Sequence, residues 1–148
     1  MRFDRTLKEL LHKLPERLFV MLTGSRVAAQ ISVQLPSVRM REPDMVVRLQ
    51  DGRIFHLEIQ SDNDPTMSWR MLDYYSPLRQ RYPDSEIVQM VLYVGREPLV
   101  MQPEIRDEPL QFRYSLVDAR TLDGEELLAS RSIEDNLLAV LCNTTDKL

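Results

Sequence analysis

Cysteine occurs once in this 148-residue chain and histidine twice. A single cysteine, Cys142, excludes a disulfide framework and a cysteine-based zinc site. His12 and His56 are too few for a histidine-rich metal centre. Lysine is scarce as well, confined to Lys8, Lys13 and Lys147, so arginine carries most of the positive charge. The opening stretch MRFDRTLKELLHKLPERLFVMLTG has no long apolar core, being broken by charges and by Pro15. It does not have the form of a signal peptide, and no segment approaches the length of a membrane span. These absences set the expectation of a cytoplasmic protein with no membrane partner and no small-molecule cofactor.

What remains is an ordinary globular composition, 43% hydrophobic and 28% charged, in a length that suits one domain, 1–148, with a proper core. The net charge of -4 argues against a protein that simply coats nucleic acid, although a local basic surface can survive in an acidic chain.

Leu7, Leu10 and Leu11 fall at helical spacing within residues 4–13, with Asp4 available as a cap, and ERLFVMLTG after Pro15 gives a second helical segment ending at Gly24. QISVQLP, residues 30–36, alternates as a half-buried strand, and the SVRMREP segment after it is basic at Arg39 and Arg41. PDMVVRLQDGRIFHLEIQ predicts a hairpin, with strands at 44–50 and 53–60 and a turn at Gln50-Asp51-Gly52; Asp-Gly between alternating runs is a strong hairpin signal. SDNDP then predicts a helix start, with Asp64 as cap and Pro65 in the first turn, followed by an inward stripe of Met67, Met71, Tyr74 and Leu78 up to Tyr82-Pro83. EIVQMVLYVG has the apolar profile of a central strand covered on both faces. A proline-punctuated connection leads to a strand at 111–118, and two acidic amphipathic segments with Thr and Ser starts close the chain. The order is helix, three-stranded meander, helix, strand, then an extra C-terminal strand and helices. That is an α/β domain around one mixed central sheet.

One carboxylate stands out. Glu58 lies inside an apolar strand, sharing a face with Ile54, His56 and Gln60. A turn near residue 51 sets Asp44 at roughly the same height on the neighbouring strand, and a register that puts it on the face of Glu58 brings two carboxylates within reach of one cation. A hard divalent ion would relieve their repulsion, with the Ile59 carbonyl as a third oxygen, and could activate water for attack on a phosphodiester. A plainer reading pairs Glu58 with Arg48 or Arg53 across the hairpin. Asp62, Asn63 and Asp64 lack the glycine and terminal glutamate of an EF-hand loop, and capping explains them better. His56 is a weak candidate for proton transfer, Trp69 and Tyr75 fit packing better than base stacking, and Cys142 is expected to be buried.

Pro43-Asp44 followed by Glu58-Ile59-Gln60, on the second and third strands after an N-terminal helix, resembles the PD-(D/E)XK nuclease pattern. PDMVVRL, GRIFHLEIQSDNDPTMSWRMLDYY and LRQRYPDSEIVQMVLYVGREP, in that order, are similar to the recombination-promoting nuclease and transposase-like branch of that superfamily, and FDRTLKELL is similar to its opening helix. The likeness covers roughly residues 3–98. It implies a restriction-endonuclease-like core, Mg²⁺ or Mn²⁺ bound by Asp44 and Glu58, DNA as partner and substrate, and metal-dependent DNA cleavage linked to recombination or mobile elements; it is compatible with a homodimer. Gln60 stands where the superfamily signature most often has lysine, as is common in this branch. An amide cannot supply lysine's charge, so either a nearby arginine does or activity is slower and leans more on the metal; Arg70 on the following helix is the candidate, its plainer role being to pair with Asp73. Glu9 could add a carboxylate, although an exposed surface role suits it better. The alternative function is a nuclease fold kept as a catalytically weak or inactive module that binds DNA or a protein.

Overall fold

The structure is a computed structural model that describes residues 2–34 and 42–143. Helices α1 (Arg2–Leu11) and α2 (Glu16–Thr23) come first. Gly24 ends α2 in the left-handed conformation, φ 72°, which glycine adopts without steric cost. Strands β1 (Val27–Gln30), β2 (Met45–Leu49) and β3 (Ile54–Gln60) form an antiparallel meander. Gly52, φ 92°, lies in the turn between β2 and β3. Helix α3 (Met67–Arg81) then crosses over to β4 (Ile87–Tyr93), which runs parallel to β3.

A hairpin of β5 (Glu104–Asp107) and β6 (Leu110–Arg113) forms a separate two-stranded sheet. Strand β7 (Ser115–Asp118) returns parallel to β4, so the main sheet runs β1-β2-β3-β4-β7. Short helices α4 (Gly124–Leu128) and α5 (Ile133–Leu138) follow. The result is an α/β fold with a mixed five-stranded sheet, and no helix among the described residues is long and apolar enough to cross a membrane.

Period-two alternation sorts the side chains of the sheet between two layers. Met45, Val47, Leu49, Phe55, Leu57, Ile59 and Leu92 bury against α1, α2 and the C-terminal helices. On the other face, Val91 and Tyr93 meet Met67, Met71 and Tyr74 of α3 together with Ile105 and Phe112 of the hairpin. Further along that face Val46 and Ile54 meet Leu78. Strand β3 is thus covered on both sides, and its polar residues His56 and Glu58 are buried at 0% and 1% exposure.

Several elements differ from the sequence expectation. The first strand lies at Val27–Gln30, while residues 31–34 lack regular strand structure even though Ile31 N–H still bonds Val46 O. Leu35, Pro36, Arg39, Arg41 and the side chain of Asp4 lie outside the described part. Helix α3 starts at Met67, two residues later than Pro65, because Asp64 caps a turn instead: its Oδ1 accepts from the backbone N–H and the hydroxyl of Thr66. The stretch expected as one strand at 111–118 is two strands in different sheets, separated at Tyr114, and the proline-rich connection before it supplies β5. Asp123, rather than Thr121, caps α4, whereas Ser132 caps α5.

Candidate functional site

The register of β2 and β3 pairs Met45 with Leu57. One step further it sets Asp44 opposite Glu58, and two steps further Pro43 opposite Ile59. Odd-numbered residues of β3 bond toward β2, and even-numbered ones toward β4. A proline there has no N–H to offer the Ile59 carbonyl, so Pro43 ends the ladder where the acidic pair begins.

The two carboxylates take over from the ladder by reciprocal contacts. Glu58 Oε1 accepts the Asp44 N–H at 2.8 Å, and Asp44 Oδ2 accepts the Ile59 N–H at 2.9 Å. Each acid is thereby fixed by the backbone of the opposite strand. The remaining oxygens carry cations: Lys8 Nζ of α1 lies 3.0 Å from Asp44 Oδ1, and Arg70 Nη2 of α3 lies 3.1 Å from Glu58 Oε2. Arg70 Nη1 also meets Asp64 Oδ2 at 3.2 Å. Arg70 Nε is the one buried side-chain nitrogen or oxygen without a hydrogen-bond partner among the described residues.

The electrostatics follow from this crowding. Burial and then the neighbouring Glu58 charge raise the Asp44 carboxyl above its ordinary value, against the opposing pull of Ile59 N–H and Lys8. Burial pushes the Glu58 carboxyl upward too, while the His56 hydrogen bond, the Asp44 N–H and the Arg70 charge pull it down. Each acid thus has its own cation, Lys8 for Asp44 and Arg70 for Glu58.

Beneath the acids lies a buried polar chain. His56 Nε2 is 2.9 Å from Glu58 Oε1, and its Nδ1 is 3.0 Å from Gln89 Nε2. Gln89 Nε2 in turn donates to Met71 O at 2.9 Å. The Tyr74 ring packs against the imidazole in a T-shaped contact, with ring centroids 4.9 Å apart.

The structure thus brings together Asp44, Glu58, Ile59 and Arg70, as the sequence suggested. Arg70 pairs with Glu58 and Asp64, which corrects the plainer pairing with Asp73. Arg53 turns away to Asp51 and the Thr23 carbonyl, and Arg48 lies over the Tyr82 ring, so neither takes up Glu58. Gln60 follows on the same strand, with no side-chain hydrogen bond to Asp44, Glu58 or Arg70 among the described residues. Glu9 is exposed and paired with Arg5; its neighbour Lys8 reaches the site instead. Trp69 is 47% exposed, while Tyr75 packs on Phe112. Cys142 is half-buried rather than fully buried, its thiol pushed up to about 11 by burial and by Asp123. Sequence reasoning missed Lys8 and Gln89. Both depend on tertiary contact, and the only local hint was that Gln89 is a polar residue inside an apolar strand.

Among the described residues no group of three or more His, Cys, Asp and Glu side chains is placed to hold a metal ion. Two carboxylates and a backbone carbonyl that lacks its ladder donor nevertheless match the hard-oxygen preference of Mg²⁺ or Mn²⁺, with water completing the shell. The cationic groups on Asp44 Oδ1 and Glu58 Oε2 mark where positive charge is favoured. Compared with known protein families, curated proteins and solved structures, the chain finds no match.

Proposed function

We propose that this chain is a metal-dependent DNA endonuclease with a restriction-endonuclease-like core, hydrolysing phosphodiesters in recombination or in the life of a mobile element. The observation that carries the reading is the reciprocal lock of Asp44 and Glu58 at the end of β2 and β3, with Oδ1 and Oε2 each turned to a cation. Asp44, Glu58 and the Ile59 carbonyl are the residues that would hold Mg²⁺ or Mn²⁺. Bound there, such an ion polarises a phosphoryl oxygen and makes a coordinated water more acidic.

The chain's own groups supply the rest. Arg70, whose guanidinium lies against Glu58 and Asp64, could turn a charge-assisted donor to a phosphate oxygen. Lys8 brings the ammonium charge that Gln60 lacks, while the Gln60 amide can orient water by hydrogen bonding. DNA would be held mainly through phosphate contacts.

A second reading has its own support. Lys8 and Arg70 already neutralise the two acids, so the same arrangement can stand as a stable ion-pair cluster in an inactive module that binds DNA or a protein. Nicking of supercoiled plasmid separates the two. The endonuclease reading predicts Mg²⁺- or Mn²⁺-dependent nicking by the purified chain, lost by at least about a hundredfold in Asp44→Ala or Glu58→Ala. Equal nicking by the Asp44→Ala/Glu58→Ala double variant would overturn it.

A further inference from the structure

We infer that Gln89 and His56 are positioning residues that lock one oxygen of Glu58 and leave the other to meet a ligand. The inference rests on the reading of Glu58 as a metal-binding carboxylate, but the hydrogen-bond chain behind it can be observed without any metal.

The direction of the chain is set at its far end. Gln89 sits on β4 at 5% exposure, and its amide faces two groups, the Met71 carbonyl and His56 Nδ1. A carbonyl can only accept, so the group facing Met71 must be the NH₂. Turning the amide over would set oxygen against oxygen in a site without water access. With the NH₂ so fixed, its second N–H points at His56 Nδ1, which must then accept. The imidazole proton is left on Nε2, and Nε2 donates to Glu58 Oε1 at 2.9 Å. Tyr74 packs against the ring in a T-shaped contact and opposes its rotation.

The consequence reaches the carboxylate. Glu58 Oε1 receives two donors, His56 Nε2–H and the Asp44 backbone N–H, and is occupied in directions that the protein alone controls. Only Oε2, on the Arg70 side, remains to exchange partners. Glu58 is therefore built to bind through a single oxygen in one orientation. Both ring nitrogens of His56 are committed, which removes the histidine from proton transfer and makes it an aligning group. Carboxylates that bind metals characteristically depend on such outer partners, whose loss costs about 10–100-fold in affinity.

Nitrogen-15 NMR of the metal-free protein tests the chain directly, since only His12 and His56 contribute imidazole signals and a His12→Gln variant assigns them. The expected signature is protonated Nε2 and unprotonated Nδ1 for His56; a proton on Nδ1 in the wild type overturns the inference. Mn²⁺ titration by calorimetry tests the consequence. Gln89→Leu should bind about tenfold more weakly than wild type and lose the single-tautomer signature, while circular dichroism reports whether it still folds. Should it fail to fold, the conservative Gln89→Met takes its place with the same expectation. Unchanged affinity in a folded variant overturns the positioning role. If the wild type itself binds no Mn²⁺, the metal reading fails and the positioning role with it, whereas a wrong tautomer with Mn²⁺ bound at Glu58 condemns this inference alone.

Discussion

Asp44 shows how one residue can serve a site at the expense of the fold. Burial and the adjacent Glu58 raise its carboxyl, so the folded state binds that proton more tightly than the unfolded chain. Its contribution to stability is then most favourable at low pH and is lost as pH rises through the raised pKa. Asp44→Asn keeps an acceptor for Ile59 N–H but removes the charge. It should raise the melting temperature at pH 7 by about 2–4 °C for each kcal/mol relieved, with the gain vanishing as pH falls to the ordinary value of 3.8. Thermal denaturation of both proteins across that range checks the sign, and a lower melting temperature for Asp44→Asn at pH 7 would contradict it. Lys8 makes the complementary case. If its ammonium stands in for the charge that Gln60 cannot supply, Lys8→Gln should slow plasmid nicking at least about tenfold. The double variant Lys8→Gln/Gln60→Lys should recover much of that loss. A faster rate for Lys8→Gln would instead mark Lys8 as a competitor for Asp44.

At the scale of elements, α2 lacks a local cap: Pro15 precedes it and offers no side-chain acceptor. Asp135 of α5 supplies one from far along the chain. It is fully buried, and its carboxylate accepts from Arg17 N–H and Leu18 N–H at 3.0 Å each and from the Ser130 hydroxyl. Asp135→Ala should therefore cost about 2–4 kcal/mol in urea denaturation, combining a lost cap with two stranded donors; a cost under about 0.5 kcal/mol would show that the contact is dispensable. The same contrast between local and distant determinants explains what could be read from the sequence. The β2–β3 hairpin was legible because Asp51-Gly52 and strict alternation are local signals, and with its register came the opposition of Asp44 and Glu58. The break at Tyr114 was not legible, since alternation continues from β6 into β7 while only tertiary packing sends them to different sheets. Lys8 and Gln89 were hidden for the same reason. Gln89 meets a histidine 33 residues away, and Lys8 enters from a helix on which only Glu9 was weighed, with an exposed role favoured for it.

At the scale of the whole molecule, the fold converges on the end of one strand. The antiparallel hairpin brings Asp44 to Glu58, the crossover helix α3 brings Arg70, and α1 brings Lys8 from the opposite layer. Strand β4 adds Gln89 beneath. Pro43 has no N–H to continue the ladder at the point where these groups meet. Four separate elements thus build one small charged site around the buried Glu58. A cation that binds the folded state there should also stabilise it, with the gain following its occupancy. The central claim is that this site holds a divalent ion, and a crystal structure of the protein soaked in Mn²⁺, with anomalous diffraction data, tests it most directly. The account predicts an anomalous peak in contact with Asp44, Glu58 and the Ile59 carbonyl, with Lys8 and Arg70 displaced from the carboxylate oxygens they now hold. Ordered carboxylates still paired with Lys8 and Arg70, and no peak between them at millimolar Mn²⁺, would contradict it.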